Sequence, residues 1–321
     1  IFAVIIIFSS CKKDLLKQIP NDRLSSDIFW KTENDALLAV NALYTDLDGQ
    51  NIFSWDALSD IAHTNQLANS QSFIELGTYD ISNEKVYNEW AAAYRGIRAA
   101  NYFLENIDNV PSANAELINR FKGEARVLRA YQYIKLAGFF SSVPLITKSI
   151  DLAEAATLTR NSAEEIWNFI DKELEEAAAT LPPTYGNENK GRITSGAAWG
   201  LKARADLWAG RYEQAVAACN NITGYSLYPS YQNLFKYSAE NNQEVILDKQ
   251  FIKDIASNSV FNLLAPFSLK NSQSLFVPSR TIVDMYETAD GKNITDPSSG
   301  YDPAHPYVNR DPRLGFSIFV D

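Results

Sequence analysis

The stretch Leu207-Trp208-Ala209-Gly210-Arg211-Tyr212-Glu213-Gln214-Ala215 decides the architecture. Gly210 permits a tight turn, an aromatic follows two residues later at Tyr212, and the small Ala215 comes three after that. That order is the turn of a tetratricopeptide-like helix pair, in which the ring and the small residue are expected to interlock the helices. The signal concerns architecture alone, since such pairs serve as scaffolds far more often than as enzymes.

The flanking sequence supports helices on both sides. Ile193 to Trp208 reads as a helix ended by Gly210, and Tyr212, Ala215, Val216, Cys219 and Ile222 form the apolar stripe of the next. Upstream, Ser162-Ala163-Glu164-Glu165 is a capping box opening a helix striped by Ile166, Ile170, Leu174 and Leu181, and Pro182-Pro183 stops it. Phe121, Ala125, Leu128, Tyr131, Ile134 and Gly138 form one earlier stripe; Trp90, Tyr94, Ile97, Asn101 and Leu104 form another. Ala36, Leu37, Val40, Leu43 and Tyr44 begin the series. Helices in succession with short joins imply stacked antiparallel pairs. The expected class is mainly α, a tetratricopeptide-like α-α superhelix with helix pairs over about 83–222 inside one domain, 33–321. Beyond Tyr225 the period dissolves into a loop-rich region, 223–321. Tyr228-Pro229, Asn241-Asn242 and Asp311-Pro312 are among the pairs that punctuate it, and Glu244 to Leu247 is a short strand candidate.

The 321 residues carry a net charge of −10, with 46% hydrophobic and 21% charged residues, an ordinary globular balance. No basic cluster suited to phosphates occurs, so nucleic acid is set aside as a partner. His63 and His305 stand far apart, so with two Cys they offer no zinc site, and no metal or cofactor is expected. Asp290, Asn293 and Asp296 hint at calcium but lack the spacing of an EF-hand loop. Cys219 reads as a small core residue without a disulfide partner. Many of the 16 Tyr, 17 Phe and 6 Trp must pack in the core, but some fall in polar, loop-like stretches where a ring is more useful for recognition than for packing.

The chain opens Ile1-Phe2-Ala3-Val4-Ile5-Ile6-Ile7-Phe8-Ser9-Ser10-Cys11. Eight apolar residues fall short of the roughly 20 a spanning helix needs, but suit the hydrophobic part of a secretion signal. Residues 1–10 are therefore expected to be a partial signal peptide whose start precedes Ile1. Phe8-Ser9-Ser10-Cys11 resembles a loose lipobox with Phe8 where the tighter form has Leu, so Cys11 is the expected lipidation site. A buried N-terminal strand is the alternative reading of the apolar run. Residues 11–32 read as the lipidated N-terminus and tether. The chain also reads as a fragment that continues past Asp321.

Together the segments resemble the SusD/RagB family of outer-membrane nutrient-binding lipoproteins. Trp90-x-x-x-Tyr94-x-x-Ile97-x-x-Ala100-Asn101 is similar to its early helix. Gly123-Glu124-Ala125-Arg126-Val127-Leu128-Arg129-Ala130-Tyr131, leading to Val143-Pro144-Leu145-Ile146, resembles its most recognisable stretch. Gly191-Arg192-Ile193-Thr194, Tyr228-Pro229-x-Tyr231-x-x-Leu234-Phe235, Asn242-x-Glu244-Val245-Ile246, Asp290-Gly291 and Arg310-Asp311-Pro312-Arg313-Leu314 continue the order. Ser141-Ser142 departs from it, standing where the family usually has Gly before Val-Pro. The resemblance implies a surface-exposed lipoprotein of the outer membrane, sitting as a lid on a SusC-like TonB-dependent transporter. Its helix pairs would face the transporter, and its loop-rich face would bind a glycan oligosaccharide, or a peptide as in some members.

Sugars present apolar C–H faces to aromatic rings and hydroxyls to amides, carboxylates and Arg. The ligand candidates are Trp55, Asp60, His63, Asn65, Asn69 and Tyr79, with Phe276 and Arg280 of the stretch Asn271 to Arg280 closing the pocket. Trp90 belongs to an apolar stripe and is a weaker candidate. Glu124, Arg126 and Arg129 read as ion-pair partners between stacked helices, and Asp311 with Arg313 as a turn-and-salt-bridge device. No catalytic residue is expected. Glu164/Glu165 and Glu175/Glu176 lie on a solvated helix, whereas a glycosidase needs two carboxylates about 5–10 Å apart across one cleft. A protein-binding scaffold and a helical glycoside hydrolase are the rival readings to glycan capture.

Overall fold

A computed structural model describes residues 29–66, 69–111 and 114–320. The expected lipidation site Cys11, the signal segment 1–10 and tether residues 11–28 lie outside the described residues. Residues 29–32, expected to belong to the tether, are described, and Trp30 among them is buried against Tyr102 and Phe103.

Six helices of nine residues or more are present among the described residues: α1 Glu33–Leu43, α2 Glu84–Asn106, α3 Ala115–Phe140, α4 Ala163–Ala178, α5 Ser195–Trp208 and α6 Tyr212–Asn220. Each of α2 to α6 packs on the next, and α1 lies across α2 and α3. This is the stacked-pair superhelix that the Gly210 turn predicts. The starts follow the sequence closely. Ser162 Oγ accepts from Glu165 N at 3.2 Å while Glu165 Oε2 accepts from Ser162 N at 2.8 Å, closing the capping box on α4. Thr32 with Asp35 does the same for α1, and Thr194 caps α5. The core between the helices is filled by Phe103, Phe121, Tyr133, Ile166, Ile170 and Leu174, all fully buried. None of these helices is long and apolar enough to cross a membrane.

The interlock after Gly210 differs from the expected one. Gly210 does take a positive φ of 75°, but Tyr212 is 67% exposed, and Val216 and Cys219 also face outward. Ala215 and Ala218 form the buried stripe instead. Small side chains let α6 approach α5 closely, and that closer packing turns the adjacent stripe of Tyr212, Val216 and Cys219 to the outside. Cys219 is therefore a surface thiol and not the core residue expected.

Helix α3 ends at Ser141, whose φ of 61° is one that an L side chain rarely adopts. This explains why a Gly suits the position before Val143-Pro144. Ser141→Gly is expected to stabilise the fold by about 1 kcal/mol through release of that strain. A urea titration showing no gain would remove the explanation.

The helices are also bound by buried charge. At the α4–α6 junction Lys202 Nζ lies 3.1 Å from Asp171 and 3.2 Å from Asp206, and Arg211 donates to Asp171 at 2.7 Å. Asp206 is 1% exposed and its Oδ1 accepts no hydrogen bond. Burial pushes its carboxyl up to about 6, and the neighbouring Asp171 adds to the effect. A group that holds its proton more tightly when folded favours the folded state at low pH. Its contribution is complete below the unfolded value of about 3.8 and is lost as pH rises through about 6. The melting temperature of the wild type minus that of Asp206→Asn should therefore be largest near pH 4 and fall by pH 7.5. A difference independent of pH would refute this.

The loop-rich region carries only short helices, at Tyr231–Leu234, Val260–Leu264, Arg280–Met285 and Pro312–Ser317. The strand expected at Glu244 to Leu247 is absent. Glu244 accepts from Tyr228 N at 2.7 Å and Val245 N bonds back to Asn242 O, so this backbone closes a turn without pairing to another strand. Asp311 and Arg313 form the expected device: Asp311 caps the last short helix and pairs with Arg313. Arg310, the first residue of the Arg310-to-Leu314 landmark, is its buried charged member. Its guanidinium donates to the carbonyls of Val283, Tyr286 and Pro306 and lies 5.5 Å from the Tyr301 ring centroid.

Candidate functional site

Two distant stretches meet in a two-stranded antiparallel sheet, β1 Ala62–Thr64 and β2 Phe276–Pro278. Ala62 pairs with Pro278, His63 with Val277 and Thr64 with Phe276. The ribbon is extended by Asn65 N donating to Leu275 O at 2.8 Å and Ser279 N to Ile61 O at 2.9 Å. The stretch around Trp55 to Asn69 and the stretch Asn271 to Arg280 thus share one surface.

The polar candidates divide by what already holds them. Asp60 and Asn65 are exposed and His63 half-buried, and their side chains bond to no other described residue. Their hydrogen-bonding capacity is open to a ligand. Asn69 is committed: its Oδ1 accepts from Ser72 N at 2.8 Å as the cap of the short helix Ser70–Glu75, and its Nδ2 donates to Thr64 Oγ1 at 3.1 Å. Arg280 is chelated by Asp284 at 2.8 Å to each carboxylate oxygen, with its side chain otherwise exposed. Phe276 is half-buried on β2. Tyr79 is not on this ribbon; it lines a separate hollow of about 410 Å³ with Phe73, Asp80 and Asn83.

Trp55, on the single turn Phe53–Asp56, is half-buried, and that turn packs against both strands of the ribbon. The Trp55 ring meets Phe139 edge to face at 5.1 Å, its Nε1 donates to Glu89 at 3.2 Å, and the Lys135 ammonium lies 5.2 Å from its centroid. Lys85 bonds Glu89 at 2.6 Å and Ser54 at 2.7 Å, while Lys135 bonds Asp48 at 2.9 Å and Glu89 at 3.2 Å. Burial works against charge on Glu89, yet the two ammonium groups and the indole N–H hold its carboxyl below the usual range. A charged, fully bonded floor of this kind fixes the ring plane.

Sequence reasoning undervalued a second surface. Trp90 and Tyr94, with centroids 5.0 Å apart, line a groove of about 780 Å³ whose other side is Pro144, Ile146, Ile150 and Leu152. Their three- and four-residue spacing is shared by core and groove residues, so periodicity could not separate the two. No group of three or more His, Cys, Asp or Glu able to hold a metal occurs among the described residues. Of the residues that hinted at calcium, Asn293 and Asp296 accept from the backbone N–H groups of Thr295 and Ser298 in local turns.

Residues 27–207 match the SusD-like family described as starch-binding associating with outer membrane. The chain belongs to the SusD-like family. A SusD-like protein of Formosa agariphila is 27% identical over 274 residues, 78% of this chain and 51% of that protein. A SusD-like protein of Bacteroides ovatus is 24% identical over 271 residues, covering 77% and 48%. The crystal structure of a SusD-like carbohydrate binding protein from Bacteroides fragilis superposes with a TM-score of 0.83 and 27% identity, covering 90% of this chain and 60% of that one. A laminarin binding SusD-like protein gives a TM-score of 0.63 at 26% identity, covering 68% and 51%. The chain thus spans about half the length of its curated relatives.

The SusD-like landmarks on α3 are structural, as expected. Glu124 is fully buried and accepts from Tyr44 Oη and Arg192 Nη1, each at 2.7 Å, tying α1 and the start of α5 to α3. Arg126 and Arg129 both reach Glu173 on α4.

Proposed function

We propose that this SusD-like chain captures an oligosaccharide at the cell surface without altering it and delivers it to a SusC-like TonB-dependent transporter. In this reading a lipid on Cys11 holds it to the outer membrane. The observation that carries it is the β1–β2 ribbon, where Asp60, His63 and Asn65 bond to no other described residue, and against both strands of which the turn carrying Trp55 packs. Three open polar side chains suit sugar hydroxyls, and Trp55 on the adjoining turn is the candidate ring for sugar C–H groups. Its likeness to a carbohydrate binding and a laminarin binding SusD-like protein supports the same class of ligand. The outer face of the α5–α6 pair, with Leu207, Trp208, Tyr212 and Val216 all more than half exposed, supports docking to a large partner.

Affinity-gel electrophoresis in laminarin tests the capture step. Retardation of the wild type is expected, and His63→Ala with Asn65→Ala should weaken it about tenfold, the loss of one to two hydrogen bonds. Melting temperature should not change, because neither side chain supports the fold. New reducing ends would point to a hydrolase. Retention of peptides in place of glycans would favour a RagB-like ligand. Co-purification with a SusC-like transporter tests delivery.

A further inference from the structure

A further cavity, of about 450 Å³, lies where the helix pairs meet the loop-rich region, and none of the ribbon's polar residues lines it. Its volume falls in the range of small-molecule sites, about 300–1,000 Å³. The floor is made of small residues, Ala197 and Gly200 of α5, with Tyr131 of α3 beside them. Two straps form the walls, and the fold ties them together. Lys249 Nζ donates to the carbonyls of Thr45, at 3.0 Å, and Leu47. Gln50 Oε1 accepts from both N and Oγ of Ser259 at 2.8 Å. Gly49 lies under the Phe251 ring, where a Cβ would come within 3.1 Å of Cζ. A cavity built in this way is ordered before any ligand arrives.

Its charges are unevenly satisfied. Asp48 is bonded by Tyr131 Oη at 2.5 Å and by Lys135 at 2.9 Å, and Lys249 is spent on the carbonyls. Arg204 and Asp248 also line the cavity, are exposed, and pair with no other described residue. Arg204 is thus the one lining cation, among the described residues, whose donors are free. The wall above it is apolar, from Ile246, Leu247 and Phe251.

We propose that this cavity binds a uronic acid unit of a glycan, its carboxylate on the Arg204 guanidinium, its hydroxyls on Asp248, and its C–H face on Phe251. The inference rests on the glycan reading above and assigns an acidic ligand class to a place apart from the ribbon. A planar guanidinium matches a planar carboxylate through two parallel hydrogen bonds. A carboxylate accepts from hydroxyls, which explains the unpaired Asp248 beside a cation better than an apolar ligand would. A dianionic phosphate would meet two carboxylates, whereas a single negative charge on Arg204 leaves Asp248 its hydroxyl contacts.

The test is calorimetric titration of the whole chain with trigalacturonate and with its methyl ester, which keeps the shape and removes the charge. The acid should bind about tenfold tighter than the ester, the value of one charge-assisted contact. Arg204→Ala should bring the acid down to the ester's affinity and leave the ester unchanged, and Arg204→Lys should fall between. Equal binding of acid and ester, no effect of Arg204→Ala, or preference for a sulfated sugar of the same length overturns the proposal. Laminarin retention, measured on the same variants, separates the two readings. Its loss in the wild type refutes glycan capture at the ribbon, while its persistence without uronate binding refutes only the Arg204 site.

Discussion

Arg129→Leu is expected to lower the unfolding free energy by about 3–5 kcal/mol, the usual cost of removing one partner from a buried ion pair. Arg129 is 7% exposed and Glu173 is 4% exposed, so Glu173 would be left charged and desolvated between α3 and α4. Only Arg126, whose Nε donates to Glu173 Oε1 at 3.0 Å, would still oppose that charge. The loss also spreads sideways. Arg129 Nη1 donates to Asn101 Oδ1 at 2.8 Å, and Asn101 Nδ2 in turn holds the carbonyls of Ile146 and Lys148. The guanidinium lies 5.4 Å from the Phe169 ring centroid as well. Removing the second charge should restore much of the loss, because two apolar side chains of similar volume satisfy each other. Urea unfolding of Arg129→Leu and of Arg129→Leu/Glu173→Leu checks this. If the double variant is as unstable as the single one, packing of the guanidinium outweighs the uncompensated charge.

The fold was legible in the sequence because its elements are set by local rules. The Ser162 capping box and the Gly210 turn each act within a few residues and stand where the sequence places them, while the helix expected to run to Pro182-Pro183 ends at Ala178 and leaves Leu181 outside it. What failed was the choice between overlapping stripes. On α6 the sequence offers Tyr212/Val216/Cys219 and Ala215/Ala218 at nearly the same period, and only the distance to α5 decides that the small side chains go inward. The candidate site was partly legible by residue type. The pairing of His63 with Val277 spans more than two hundred residues, and no periodic signal in a three-residue strand announces it. Asn69 shows the opposite difficulty: an amide suited to sugar hydroxyls is equally suited to a helix cap, and here it caps. Arg204 was invisible because an Arg on a helix surface is ordinary until the straps at 47–53 and 246–251 form a cavity beside it.

Tyr133→Ala should be as damaging as Arg129→Leu, at about 3–5 kcal/mol, for a different reason. The Tyr133 side chain is fully buried, with its ring 5.2 Å from Phe169 in an edge-to-face contact. Truncation opens a cavity in the rigid interface of α3 and α4, where neighbours cannot collapse into it. The hydroxyl has its own task. It accepts from Ile146 N at 2.7 Å and lies 3.1 Å from Ile146 O, fixing the extended segment after Pro144 to the helix. Tyr133→Phe keeps the ring and leaves Ile146 N–H without its partner, so it should cost about 1–3 kcal/mol. The two variants therefore separate ring packing from backbone anchoring. Hydrogen exchange at Ile146 adds a local readout: Tyr133→Phe should release that amide more than the global loss of stability explains. Equal protection in both proteins would mean that the segment is held by Asn101 and Asn161, which bond Ile146 O and Leu145 N, and that the phenol is only a space-filling ring.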